Sequence, residues 1–64
     1  MNQIREYRKK CRLSQEKLAE MVGVDRSNVA KWEAGVHKPR ADMLILLAKV
    51  LQCSVDELLR EGDR

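Results

Sequence analysis

The chain has 64 residues, a formal net charge of +3, one histidine and two cysteines, and this length allows one small domain with a modest core. No apolar run reaches the roughly 20 residues of a membrane-spanning helix, and no secretory leader pattern is present, so one cytoplasmic domain over residues 1–64 is expected. His37 lacks a partner at metal-ligand spacing, and there is no phosphate loop, paired catalytic carboxylates or activated nucleophile, so neither an enzyme, a metal, a cofactor nor a small-molecule ligand is expected.

A first helix is predicted over about residues 2–11, with Asn2 as a possible N-cap. Ile4, Tyr7 and Cys11 share one face at spacings of three and four. Cys11 and Cys53 are expected to be reduced, buried apolar residues, although a disulfide or redox role stays open.

Basic residues gather near the start of the chain. Residues 1–12 carry five basic side chains and one acidic side chain, whereas residues 41–64 carry three basic and five acidic ones. A basic surface is the electrostatic feature expected of a nucleic-acid-binding protein, and a net charge of +3 is small for that purpose.

Two further helices are predicted over about residues 15–22 and 26–33, separated by a few residues. Ser14 and Asp25 are N-cap residue types, and Gly23 stands where the first of these helices must end in a left-handed turn. Apolar residues recur at helical spacing, namely Leu18, Met21 and Val22 in one helix and Val29 and Trp32 in the other. So short a connection favours a steep crossing, as in a helix-turn-helix.

The outer face of the third predicted helix is polar and carries no acid. Its side chains have the hydrogen-bonding groups that match base edges in a major groove: Arg26, Ser27, Asn28 and Lys31. An ordinary solvated helix face is the alternative interpretation of the same residues.

A fourth helix is predicted over about residues 41–51, after a polar loop that contains Pro39. Its expected core face consists of Leu44, Leu47, Ala48 and Leu51. The remaining apolar residues either complete a fully buried helix or form an exposed stripe, and the stripe is the favoured interpretation: Met43, Leu46 and Val50. Such a stripe would be a dimer interface or the docking face for a protein partner.

A fifth helix is predicted over about residues 55–61. Ser54 and Glu57 have the spacing of a capping box, Leu58 and Leu59 are expected in the core, and Gly62 is expected to end the helix. The fold class is therefore all-α, a compact bundle of five helices.

An ordered set of motifs extends from about Ile4 to Leu59. The set comprises Leu13-Ser14-Gln15-Glu16-Lys17-Leu18-Ala19-Glu20, Gly23-Val24-Asp25, Lys31-Trp32-Glu33-Ala34-Gly35, Lys38-Pro39, the leucines and alanine of the fourth helix, and Ser54-Val55-Asp56-Glu57-Leu58-Leu59. In this order and spacing the chain resembles the Cro/lambda-repressor-type (Xre) helix-turn-helix family.

The resemblance implies a transcription regulator, of repressor type, that binds double-stranded DNA in a sequence-specific manner. The third helix would read bases through Arg26, Ser27, Asn28 and Lys31. Gln15, Lys38 and Arg40 would hold phosphates, and His37 would either contact a phosphate or face solvent.

Similarity to the family also implies a partly buried ion pair between Arg8 and Glu33; a surface arginine is the alternative. Arg12 departs from the family, which often has glycine at this helix end. If the backbone at Arg12 is left-handed, the conformation costs on the order of 1 kcal/mol, and the side chain adds positive charge near the expected DNA surface.

A homodimer on a near-palindromic site is expected, because one such domain makes few contacts. A chain of this length is expected to hold no separate effector domain, so regulation would come from a partner, from concentration or from proteolysis. Phage-type repressors and antitoxin-like regulators both fit, and a protein-interaction module with the same fold is the alternative function.

Overall fold

The computed structural model describes residues 3–59, which form five α-helices and no strand. The helices are α1 (Ile4–Lys10), α2 (Gln15–Val22), α3 (Arg26–Ala34), α4 (Ala41–Leu51) and α5 (Val55–Leu59). The predicted all-α class is confirmed, and the bounds of α2 and α4 agree with the prediction. The helix α1 begins later than expected, with Gln3 at its N-cap position. Asn2 and Gly62, with their expected roles at helix ends, lie outside the described residues.

The helix starts follow local side-chain chemistry at two of the three predicted caps that lie within residues 3–59. Ser14 Oγ accepts from the backbone N–H of Lys17 at 2.9 Å. In the capping box, Glu57 N–H donates to Ser54 Oγ at 3.0 Å, and the Ser54 N–H donates to Glu57 Oε1 at 2.8 Å. Asp25 occupies the N-cap position of α3, but its carboxylate makes no cap bond, so that part of the prediction is wrong.

Four residues in the described part have a left-handed backbone. Gly23 and Gly35 end α2 and α3, each with φ of 78°. Arg12 has φ of 59° and Gln52 has φ of 58°, without glycine's freedom from a Cβ clash. The left-handed turn expected at Gly23 is confirmed, and the condition considered for Arg12, a left-handed backbone, is met.

The core is built from aliphatic side chains and one tryptophan. Its buried members come from all five helices: Ile4, Leu18, Ala19, Val22, Val29, Trp32, Leu47, Ala48, Leu51 and Leu58. Tyr7 and Cys11 are half-buried against this core, as the α1 face predicted. Met21 and Leu59 were expected inside but are 46% and 49% exposed, and Ala19 is buried instead of Met21.

Of the apolar stripe expected on α4, only Leu46 is exposed. Met43 and Val50 are half-buried against the core, and α4 packs against both α2 and α5. Leu46 is only 37% exposed, and the most exposed apolar side chain of α4 is Ile45, at 53%. Leu44, expected in the core, is half-buried.

The helices α2 and α3 make the most extensive pairing of elements, and α1 also packs against α3. The Gln3 N–H donates to the carbonyl of Leu58 at 3.1 Å, which ties the start of α1 to α5. Within residues 3–59, no helix has both the length and the apolar content to cross a bilayer.

Candidate nucleic-acid interface

The helix α3 has two faces with different functions. Val29 and Trp32 point inward and are buried, which fixes the helix to the core. The four side chains predicted to read bases are all exposed: Arg26, Ser27, Asn28 and Lys31. This separation follows from the helical repeat, since positions 29 and 32 are one turn apart on the inner side. The outer face is therefore a continuous polar surface that a ligand can reach.

The loop between α3 and α4 lies beside this outer face. A surface groove is lined by Asn28 and Trp32 of α3 and by the loop residues His37, Lys38, Pro39 and Arg40, with Asp42 and Met43 at the start of α4. The structure thus brings two predicted phosphate-contacting cations next to one predicted base-reading residue. His37 is exposed in the same groove. Asn28 is ten or more residues from Lys38 and Arg40 in the sequence, and the chain turns at Gly35 between them.

The third predicted phosphate contact, Gln15, has an additional partner within the protein. Its side-chain Nε2 donates to Glu33 Oε1 at 3.0 Å and the residue is half-buried. The amides of Lys17 and Leu18 bond to the Ser14 side chain and carbonyl. The bond from Gln15 to Glu33 was not predicted from the sequence. The signal that could have led to it is that a buried carboxylate needs more than one hydrogen-bond donor.

An ion pair fixes the end of α1 to the end of α3. Arg8 Nε lies 2.6 Å from Glu33 Oε2, and Arg8 Nη2 donates to Glu33 Oε1 at 3.2 Å. The third guanidinium nitrogen, Nη1, donates to the Leu13 carbonyl at 2.7 Å. The two side chains are only 12% and 6% exposed. The structure therefore contains the pair that the family resemblance implied, in a bidentate geometry with most of its donors and acceptors satisfied.

The exposed cations of α3 and the following loop differ from the buried Arg8, because they form no ion pair with the described carboxylates. Among the described residues, no carboxylate lies within ion-pair distance of the cations on the outer face of α3 or in the following loop, namely Arg26, Lys31, Lys38 and Arg40. An exposed ion pair lies on α2 instead, where Lys17 Nζ and Glu20 Oε1 are 3.4 Å apart. A second groove, beside Arg26, is lined by Glu16, Glu20 and Asp25 among others. These carboxylates limit the positive potential at the start of α3, whereas the loop side has a stronger basic character.

The cysteines and the histidine form no site in the described part of the chain. No group of three metal-ligating side chains occurs there. Cys11 and Cys53 are free and half-buried, and Cys11 Sγ contacts the Leu51 carbonyl at 3.5 Å. Burial raises the pKa of the Cys53 thiol, with further contributions from nearby Glu57 and Cys11. A neutral thiol is a weak nucleophile and a poor metal ligand.

A helix-turn-helix family model matches residues 4–58. The chain belongs to the helix-turn-helix family. The match covers all five helices almost completely, and it includes both the inner and the outer faces of α3.

Within this helix-turn-helix family, repressor protein C2 of Salmonella phage P22 is 43% identical over 60 residues, which are 94% of this chain and 27% of that protein. The HTH-type transcriptional regulator YobD of Bacillus subtilis is 39% identical over 88% of this chain and 50% of its own length. The chain thus spans between about a quarter and a half of these two relatives. The control protein C.SmaI of Serratia marcescens is 42% identical, over 92% of this chain and 71% of its own.

Solved helix-turn-helix structures agree with the fold. The crystal structure of the P22 c2 repressor in complex with a synthetic operator matches with a TM-score of 0.84 and 43% identity, covering 94% of this chain and 89% of that chain. The solution structure of the DNA-binding domain of the same repressor matches with a TM-score of 0.81 and 38% identity, covering 94% and 84%. The lambda-repressor-like arrangement expected from the sequence is confirmed.

Proposed function

We propose that the protein is a sequence-specific regulator of transcription, of repressor type, that binds double-stranded DNA with α3 in the major groove. The observation that carries this proposal is the outer face of α3. Four exposed side chains that can hydrogen-bond to base edges lie there, and no carboxylate of the described residues lies within ion-pair distance of its cations. The similar P22 c2 repressor, solved in complex with an operator, supports this use of the fold.

The four side chains divide by the bases that they match. Arg26 is the best candidate for a bidentate contact to guanine, worth about 1–3 kcal/mol of discrimination. Lys31, more than one helical turn further along, also suits guanine, whereas the Asn28 amide suits adenine and Ser27 adapts to either. Sequence preference would therefore be set by two or three adjacent base pairs.

Phosphate contacts would orient the domain on the duplex. Lys38 and Arg40, which share the groove with Asn28, would hold one strand beside the bases that α3 reads. Gln15 and Glu16 are the first two residues of α2, and their backbone N–H groups have no acceptor among the described residues. An anion such as a phosphate is favoured at this helix start. Gln15 would contribute through its backbone N–H and through the side-chain N–H that does not donate to Glu33.

Two copies would bind together on a near-palindromic site. One copy offers few base contacts, and a symmetric pair with recognition helices about 34 Å apart reads two half-sites on one face of B-DNA. Selection of sites from a random duplex pool measures this directly. Paired, inverted half-sites about 10 base pairs apart support the dimer, and isolated half-sites refute it.

The test of DNA recognition compares one base-reading variant with one phosphate-contacting variant. Arg26→Ala should lose about 1–3 kcal/mol at one selected base pair and little on random duplex. Lys38→Ala should weaken binding to selected and random duplexes alike and reduce the salt slope by about one. Fluorescence anisotropy at several salt concentrations, with labelled duplexes, gives both quantities.

The outcome distinguishes the two classes of function. Equal losses for both variants on both duplexes would refute the assignment of roles within α3 and the loop. If the unmodified protein failed to bind random duplex even at low salt, DNA recognition itself would be refuted. The protein-interaction module would then be the better interpretation of the fold.

A further inference from the structure

The turn between α1 and α2 carries a cation that the proposed interface does not yet include. We propose that Arg12 is a phosphate-positioning residue that extends the DNA contact from the start of α2 onto this turn. The proposal rests on the DNA-binding function proposed above. Arg12 is exposed, and none of the described carboxylates pairs with it.

The backbone at position 12 gives no reason for a side chain there. Its φ of 59° lies in the left-handed region, where a Cβ is unfavourable. The ends of α2 and α3 adopt similar angles with Gly23 and Gly35. The Arg12 N–H bonds to the Lys9 carbonyl at 2.9 Å, a contact that any residue except proline makes. The fold would thus be served at least as well by glycine, and the guanidinium is free to contact a ligand.

The surroundings of Arg12 fix this turn against the recognition helix. The adjacent Leu13 carbonyl accepts from Arg8, which is paired with Glu33 near the end of α3. Gln15, three residues further on, bonds to the same Glu33 carboxylate. These bonds hold the turn against α3, and a cation on the turn has a defined place relative to bases that α3 reads.

The distances and the chemistry suit a phosphate. Three residues of chain span at most about 10 Å, which is the rise of about three nucleotides along one strand, so Arg12 lies close to the phosphates that neighbour one held at the start of α2. A guanidinium presents paired N–H donors that match phosphate oxygens. No base edge is required, so the contact would be independent of sequence.

The variant Arg12→Gly separates binding from folding. It removes the charge and relieves the left-handed backbone, so we expect binding about three- to tenfold weaker at 0.1 M salt, on selected and random duplexes alike, with a salt slope smaller by about 0.9. The Tm should stay the same or rise. Arg12→Asn, a neutral residue that tolerates this backbone, should give the same loss of affinity, and Arg12→Lys should retain most of the affinity.

Two matched controls are available in the chain. Gln52→Gly relieves the other left-handed non-glycine residue without changing charge, so the Tm should respond in the same direction while DNA affinity stays constant. Lys49→Gln removes one exposed cation from the last turn of α4, outside the proposed interface, and should leave affinity almost unchanged.

Wild-type affinity and salt slope in both Arg12→Gly and Arg12→Asn would overturn the proposal while leaving DNA binding intact. An equal loss in Lys49→Gln would also overturn it, because the effect would then be one of net charge. Absence of DNA binding by the unmodified protein would overturn the proposed function and this inference together.

Discussion

Removal of the Glu33 carboxylate should destabilise the fold more than any exposed charge change. In Glu33→Ala, the Arg8 guanidinium keeps only its bond to the Leu13 carbonyl, with its side chain 12% exposed. Stranding one member of a buried pair costs about 3–5 kcal/mol. The Gln15 side chain loses its acceptor in the same variant, which adds to the cost.

This loss is large for so small a domain. At about 0.05–0.15 kcal/mol per residue, 64 residues give a total free energy of unfolding of about 3–10 kcal/mol. Glu33→Ala should therefore remove between about a third and all of the free energy of unfolding. Urea unfolding followed by circular dichroism at 222 nm measures the loss at 10 °C, where the variant retains the largest folded fraction.

The control is the exposed pair on α2. Lys17→Ala breaks the contact with Glu20, whose members are 59% and 73% exposed, and should cost less than about 1 kcal/mol. The double variant Arg8→Met with Glu33→Met should recover much of the loss, because no charge is then left buried. The reasoning would be refuted if Glu33→Ala lost no more free energy of unfolding than Lys17→Ala. It would also be refuted if the loss in the double variant equalled the sum of the losses in Arg8→Met and Glu33→Met.

Two further predictions concern the turn and the thiol. Gly23→Ala should lower the free energy of unfolding by about 1–2 kcal/mol from backbone strain alone, since φ is 78° and no atom lies within 4 Å of an added Cβ; a loss below the error of urea titration would contradict this. Because the pKa of the Cys53 thiol is raised, its thiolate fraction at pH 8 should be smaller in the folded chain than in the unfolded one. Alkylation by iodoacetamide should thus be slower than in urea and should accelerate as the pH rises, whereas a pH midpoint at or below that of the unfolded chain would contradict the assignment.

Features decided by a few neighbouring residues were predictable from the sequence. The caps at Ser14 and Ser54 and the turn at Gly23 follow from the local chemistry of one to four residues. Each has few alternatives, because a helix end must satisfy its free N–H groups or reverse its direction.

Features decided by the extent of a neighbouring helix were not predictable in the same way. Met43 and Val50 are half-buried on a helix that packs against both α2 and α5, and helical periodicity alone does not count neighbours. Met21 and Leu59 are exposed because small domains cannot cover every apolar side chain. The Asp25 carboxylate, although at the correct position, makes no cap bond.

The candidate site was also predictable in its local features and not in those that depend on how distant residues meet. The exposure of the outer face of α3 follows from the inward positions of Val29 and Trp32. The groove that joins Asn28 to Lys38 and Arg40 depends on the direction in which the chain leaves Gly35, which no local pattern specifies. The bond of Gln15 to Glu33 likewise requires two helix ends to meet.

The division of α3 into an inner and an outer face has a consequence for how such a protein can change its target. No side chain of the outer set contributes to the buried core; of the two core residues of this helix, Val29 is fully buried, whereas Trp32 also lines the groove beside Asn28. Replacement of those four exposed side chains should therefore redirect recognition to another operator at nearly constant stability. The scaffold would tolerate many alternative specificities, each within reach of a few substitutions.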